Sequence, residues 1–201
     1  MDDKQYETRD TIDEPIIKVY SYGSSVYQCQ TKNSDSDYIV VVESEDRNLY
    51  YSVREEDADY TVYSEGKFIE RIKDHHISAM ECIFQNPNDQ YLKYFTLDKE
   101  KLRREISAVS SNSFVKCKKK IALGEDYIGR KSMFHSLRIL MFGIQIAEHG
   151  KIIDYSCANN LLPDIMNLKT WEDIKEKYQP IYNQLKSNFK IVAPLESDKN
   201  G

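Results

Sequence analysis

Four branched aliphatic residues in a row, Ile39-Val40-Val41-Val42 following Tyr38, leave this stretch little choice but an extended strand. Ser34-Asp35-Ser36-Asp37 stands directly in front of it. Alternate residues of a strand project from one face, so two aspartates two positions apart where a strand opens can aim into one site. Two carboxylates so placed repel each other unless a cation lies between them. Magnesium, a hard ion that takes oxygen ligands and keeps some of its water, suits one or two carboxylates together with substrate phosphates. A bare Asp-x-Asp is common in solvated loops. What distinguishes this one is the strand behind it and a Gly-Ser pair in front: Asp35 lies 12 positions after Gly23.

The rest of the front half reads as strands. Ile16-Ile17-Lys18-Val19-Tyr20 is β-branched and aromatic and runs into Ser21-Tyr22-Gly23-Ser24-Ser25, a small-residue turn able to open a short helix. Leu49-Tyr50-Tyr51-Ser52-Val53 and Asp59-Tyr60-Thr61-Val62-Tyr63 have the same character. From Ser64 the period lengthens to that of helices: Phe68, Ile69 and Ile72 share one face, and Ile77 to Phe84 suggests a second helix. Asn86-Pro87-Asn88-Asp89 punctuates the chain, which predicts an α/β domain over 1–88 and a helical domain over 89–190. Helices are expected at about 89–104 and 107–122, then after Gly129 up to Gly150, and from an N-cap at Thr170 to Phe189 with an interruption or kink at Pro180. The first dozen residues read as a frayed lead-in and 191–201 as a disordered tail. The predicted class is α+β: a small mixed β-sheet domain with helices, followed by an all-α domain.

Charge divides along the same line. Residues 1–60 carry 15 acidic and 6 basic side chains, and residues 61–201 carry 18 and 22. Such a division fits a site where cations and polyphosphate meet, and equally an uneven but solvated surface. The net charge of −5 argues against a general nucleic-acid coat protein. Cys29, Cys82, Cys117 and Cys157 are too scattered for a zinc site or a disulfide framework, so a reducing compartment is expected. The polar start MDDKQYETRD lacks the core of a signal peptide, and no apolar run approaches the roughly 20 residues of a membrane span. A cytoplasmic protein without a membrane partner is the expectation.

With Gly23-Ser24, Tyr27, Thr31 and Ser34-Asp35-Ser36-Asp37 in place, the chain resembles the polymerase-β-like nucleotidyltransferase superfamily, closest to its RNA-repair-pathway DNA polymerase beta family. Gln28 stands where that family usually has glycine, which predicts a tighter or differently shaped loop. The resemblance touches residues 16–150. It is strong at the front and loose behind, where His76 to Phe84 and Lys131 to Arg138 match later helices.

It implies a metal-dependent transfer of a nucleoside monophosphate from a nucleoside triphosphate such as ATP to an acceptor, with release of pyrophosphate. Asp35, Asp37 and Asp59 would hold magnesium or manganese, Asp59 also orienting or deprotonating the attacking hydroxyl. Gly23, Ser24 and Ser34 would bind the nucleotide, with Lys131 or Arg138 offsetting charge on the pyrophosphate. The acceptor stays open: an RNA end, a protein or a small molecule. The other reading is an inactive nucleotidyltransferase-like binding or antitoxin module. Asp59 has Glu55, Glu56 and Asp57 beside it, and its alternative is a place in an acidic turn. Lys116, Lys118, Lys119 and Lys120 form a cluster that touches RNA or triphosphate, or is simply a solvated helix face. His75-His76 lacks partners for a metal site.

Overall fold

The computed structural model describes residues 8–9, 11–31 and 34–196. Its strands are β1 (Thr8–Arg9), β2 (Ile16–Tyr22), β3 (Ser36–Val42), β4 (Tyr50–Arg54) and β5 (Ala58–Ser64). They form one sheet in the order β1-β4-β5-β3-β2. β3 pairs parallel with β5 and antiparallel with β2, and β5 pairs antiparallel with β4, so the sheet is mixed. The helices are α1 (Glu65–Lys73), α2 (Ile77–Ile83), α3 (Lys99–Ala122), α4 (Asp126–His149), α5 (Leu162–Asn167) and α6 (Trp171–Val192). The class is therefore α+β, a small mixed sheet with its helices followed by an all-helical part. The chain divides into two compact units, residues 1–74 with 78–96 and residues 75–77 with 97–201.

In the first unit β3 lies between β5 and β2, and alternation sends its side chains into two separate cores. Ile39 and Val41 pack with Tyr20, Tyr63, Phe68 and Ile72, the last two supplied by α1. Val40 and Val42 pack with Tyr51, Val53 and Val62 on the opposite face. Burial on both sides explains why this strand is apolar without a break. Ser64 ends β5 and caps α1, its hydroxyl accepting the Lys67 N–H at 3.3 Å. Tyrosines dominate the packing: Tyr50 stacks on Tyr63 at 4.8 Å and Tyr38 on Tyr60 at 5.3 Å between ring centroids.

The second unit is built on α3 and α4. Where helices were expected at 89–104 and 107–122, the structure has a short turn at Leu92–Tyr94 and then one helix, Lys99–Ala122. Asp98 caps that helix by accepting the Lys101 N–H at 2.9 Å, and neither glycine nor proline interrupts it near 105. α4 starts three residues before Gly129 and stops at Gly150. Gly129 is a close-approach position, because a Cβ there would lie 2.5 Å from Ile121 Cγ1 of α3. α6 continues through the exposed Pro180 to Val192.

Of the expected lead-in, residues 1–7 and 10 lie outside the described residues, and Thr8–Arg9 is a strand paired with β4, not a frayed end. Of the expected tail, 197–201 lie outside them, while Ala193 is buried and its carbonyl accepts a hydrogen bond from Arg103 Nη1 at 3.0 Å. No helix among the described residues is long and apolar enough to cross a membrane.

Candidate active site

The predicted acids lie at one end of the first unit's sheet. The parallel register of β3 and β5 sets Asp59 opposite Asp37, and the antiparallel register of β2 sets Tyr22 on its other side. Of the four acids at that corner it is Asp59 that pairs with the motif strand, whereas Glu55, Glu56 and Asp57 are exposed in the β4–β5 turn. The turn closes through Glu55 N–H to Ala58 O at 2.8 Å, which fixes this register. Asp35, expected where the strand opens, lies just ahead of it, and β3 begins when Ser36 N–H reaches the Asp57 carbonyl at 3.0 Å.

Gly23 explains how Asp37 fits. The glycine ends β2 with φ at +69°, and a Cβ on it would lie 2.0 Å from Asp37 Oδ2. Any side chain there would displace the carboxylate. The Gly23 carbonyl then accepts the N–H groups of Val26 and Tyr27 at 3.1 and 3.2 Å, forming the short 3-10 turn Gly23–Ser25. The Ser24 carbonyl accepts the Cys29 N–H at 3.1 Å. Gln28 takes φ at +58°, the left-handed region that glycine adopts most readily. Tyr27 anchors the loop from below, its hydroxyl donating to the buried Glu81 at 2.5 Å. Ser34 is engaged locally: its hydroxyl accepts the Thr31 N–H at 2.9 Å.

Arg54 is the residue that sequence reasoning missed. It ends β4 opposite Asp59, with Nε 3.3 Å from Asp59 Oδ1 and Nη2 3.5 Å from Asp35 Oδ2. All three side chains are largely open to water, so the pairs are weak and readily exchanged for another cation. Among the described residues no three histidine, cysteine or acidic side chains are gathered closely enough to hold a metal ion. The donors are nevertheless of the kind such an ion takes, carboxylates alone, with Asp37 and Asp59 in register on neighbouring strands.

Lys131 and Arg138 belong to α4 in the second unit. Lys131 is exposed, with Nζ 5.2 Å from the Tyr127 ring centroid. Arg138 is buried, lies beside Phe134 and Phe142, and its Nη2 is 2.7 Å from His135 Nδ1. Burial first, then the charges of Arg138 and Lys116, depress the His135 pKa to about 3, so the imidazole is neutral and accepts at Nδ1. His75 is buried and its Nε2 accepts the Asp98 N–H at 2.9 Å, a structural bond.

No protein-family model matches this sequence, and neither does any curated protein. Among solved structures the chain is similar to the crystal structure of a nucleotidyltransferase-like protein from Exiguobacterium sibiricum 255-15, at 12% identity over 90% of this chain and 69% of that one, with a TM-score of 0.31. A likeness at that level carries no argument about chemistry.

Proposed function

We propose that this chain is a metal-dependent nucleotidyltransferase, moving a nucleoside monophosphate from a nucleoside triphosphate to an acceptor and releasing pyrophosphate. The observation that carries the reading is the register of Asp59 against Asp37, beside a glycine that only the absence of a side chain allows to sit there. Asp35, Asp37 and Asp59 would hold magnesium or manganese, which when bound lowers the pKa of an attacking hydroxyl and neutralises triphosphate charge. Gly23 and Ser24 would bind the triphosphate, the Ser24 hydroxyl as a donor to a phosphate oxygen. Asp59, on the strand beyond Asp37, is the carboxylate suited to orient the acceptor hydroxyl. Arg54 would exchange its carboxylate partners for the phosphates or swing into water as the cation enters.

One observation favours a second reading. Arg54 already stands between Asp35 and Asp59, a counter-charge supplied without a metal, as an inactive nucleotidyltransferase-like binding module would have it. Titration with a non-hydrolysable triphosphate separates the two. The enzyme binds it far more tightly with magnesium or manganese present and loses that gain in Asp37→Asn, whereas the module binds its partner equally well without metal. Incubating the protein with each labelled triphosphate, either metal and a cell extract then identifies the acceptor.

A further inference from the structure

The Gly23–Gln28 loop that follows β2 is tied on both sides to α2 and the turn that ends it. Gln85, just past the end of α2, donates from Nε2 to the Ser21 carbonyl of β2 at 2.9 Å and to the Glu81 carbonyl at 3.1 Å. One helix turn earlier, the Glu81 carboxylate accepts the Tyr27 hydroxyl at 2.5 Å. Gly23 and Ser24 lie between these two ties. Within the loop the Ser25 hydroxyl donates to the Tyr22 carbonyl at 2.9 Å, and the Tyr27 ring meets the Tyr22 ring edge-on, 6.3 Å between centroids. Tyr22 in turn is the register partner of Asp37. A path from Glu81 through Tyr27 therefore reaches both the Gly23–Ser24 turn and the strand end beside Asp37.

Packing alone does not call for this pair. Glu81 is fully buried and Tyr27 is 3% exposed. Taking a carboxylate out of water is costly even when it is hydrogen-bonded, and apolar side chains of similar volume would fill the space without that cost. What the carboxylate adds is a strong, directional acceptor. The loop it holds needs such a tie. Gly23 at φ +69° and Gln28 at +58° both lie in the left-handed region, and a non-glycine residue persists there only where its surroundings hold it. Gln28 follows Tyr27 directly. Glu81 itself has no exposed surface, so any effect it has on a ligand passes through the groups it holds.

We propose that Glu81 is a positioning residue for triphosphate binding: through the Tyr27 hydroxyl it holds the Gly23–Gln28 loop in the shape that grips the phosphates. The proposal rests on the nucleotidyltransferase reading and deepens it. A buried acid, outside the carboxylates that would hold the metal, joins the residues on which triphosphate affinity depends.

The test is calorimetric titration of the full chain, with magnesium, against the α,β-methylene analogues of the four ribonucleoside triphosphates, using whichever binds most tightly. Tyr27→Phe removes the hydroxyl alone and is expected to weaken binding about fivefold, the equivalent of one hydrogen bond. Glu81→Met, an apolar side chain of similar volume, should weaken it as much, and the double variant no more than either, because both break one tie. In the Tyr27→Phe background Ser24→Ala should cost less affinity than in the native chain, since a displaced loop no longer presents that hydroxyl. Tyr20→Phe is the control. It removes the same kind of bond, phenol to buried carboxylate, from the Tyr20–Asp89 pair at 2.9 Å, and should lower the melting temperature with affinity unchanged. Unchanged affinity in both Tyr27→Phe and Glu81→Met, an equal loss in Tyr20→Phe, or an undiminished Ser24→Ala loss in the Tyr27→Phe background overturns the proposal. The nucleotidyltransferase reading survives any of these as long as Ser24→Ala still weakens the native chain. If the native protein binds none of the analogues, both fall together.

Discussion

The first unit uses carboxylates in two opposite ways. Asp89 is buried, with the Tyr20 hydroxyl 2.9 and 3.0 Å from its two oxygens, the Tyr91 N–H at 2.9 Å and Lys18 at 3.7 Å. Burial and this neighbour push the Tyr20 phenol far above its ordinary pKa, so it remains a donor at any working pH. At the sheet end, Asp35 and Asp59 are 52% and 42% exposed at the side chain and share a loose guanidinium. Asp89 is held by the fold, whereas Asp35 and Asp59 contribute little to it. Two acids that share one exposed arginine with so little return in stability suit the site proposed above for an external cation and phosphate.

That contrast predicts opposite outcomes for the same kind of substitution. The largest effect belongs to the sheet end: Asp35→Asn and Asp37→Asn are each expected to abolish nucleotide transfer at an unchanged melting temperature. Asp59→Asn should depress transfer more than it weakens triphosphate binding. Near-normal turnover in both of the first two variants breaks the comparison. Next comes Asp89→Ala, which leaves a buried phenol and a backbone N–H without their acceptor; a loss of about 3 kcal/mol in urea unfolding is expected. A loss below about 0.5 kcal/mol, typical of a surface site, contradicts the structural role.

Ser24→Ala sharpens the picture within the site. It should weaken binding of a non-hydrolysable triphosphate by about 1.5–3 kcal/mol, the value of a hydrogen bond to a charged group, and equal dissociation constants would remove Ser24 from the site. The smallest effect falls on Arg54→Ala. Its exposed pairs are worth about 0–1 kcal/mol, so calorimetric unfolding should barely change. A large loss would show that Arg54 is a structural tie, in which case it would not yield to a metal.

Much of this site is legible in the sequence because its cues are local. The apolar run Ile39 to Val42 dictates β3, and Gly23-Ser24 at its interval marks the turn beside it. Arg54 was not legible, since its place between Asp35 and Asp59 depends on how many residues the β4–β5 turn consumes, and a slip of one would have sent it to the other face. The left-handed backbone of Gln28 was not legible either, because the contact that anchors the loop, the Tyr27 hydroxyl on Glu81, spans 54 residues. The undivided α3 shows that helix ends are set by caps and breakers, here Asp98, more than by gaps in an apolar pattern.

The most direct test of the central claim is to supply the protein with triphosphates labelled at the α-phosphate or at the γ-phosphate, with magnesium or manganese and candidate acceptors. Transfer of the α-label only, with pyrophosphate released and the signal lost in Asp37→Asn, is the predicted result. Transfer of the γ-label, or no transfer from any triphosphate with either metal, contradicts it.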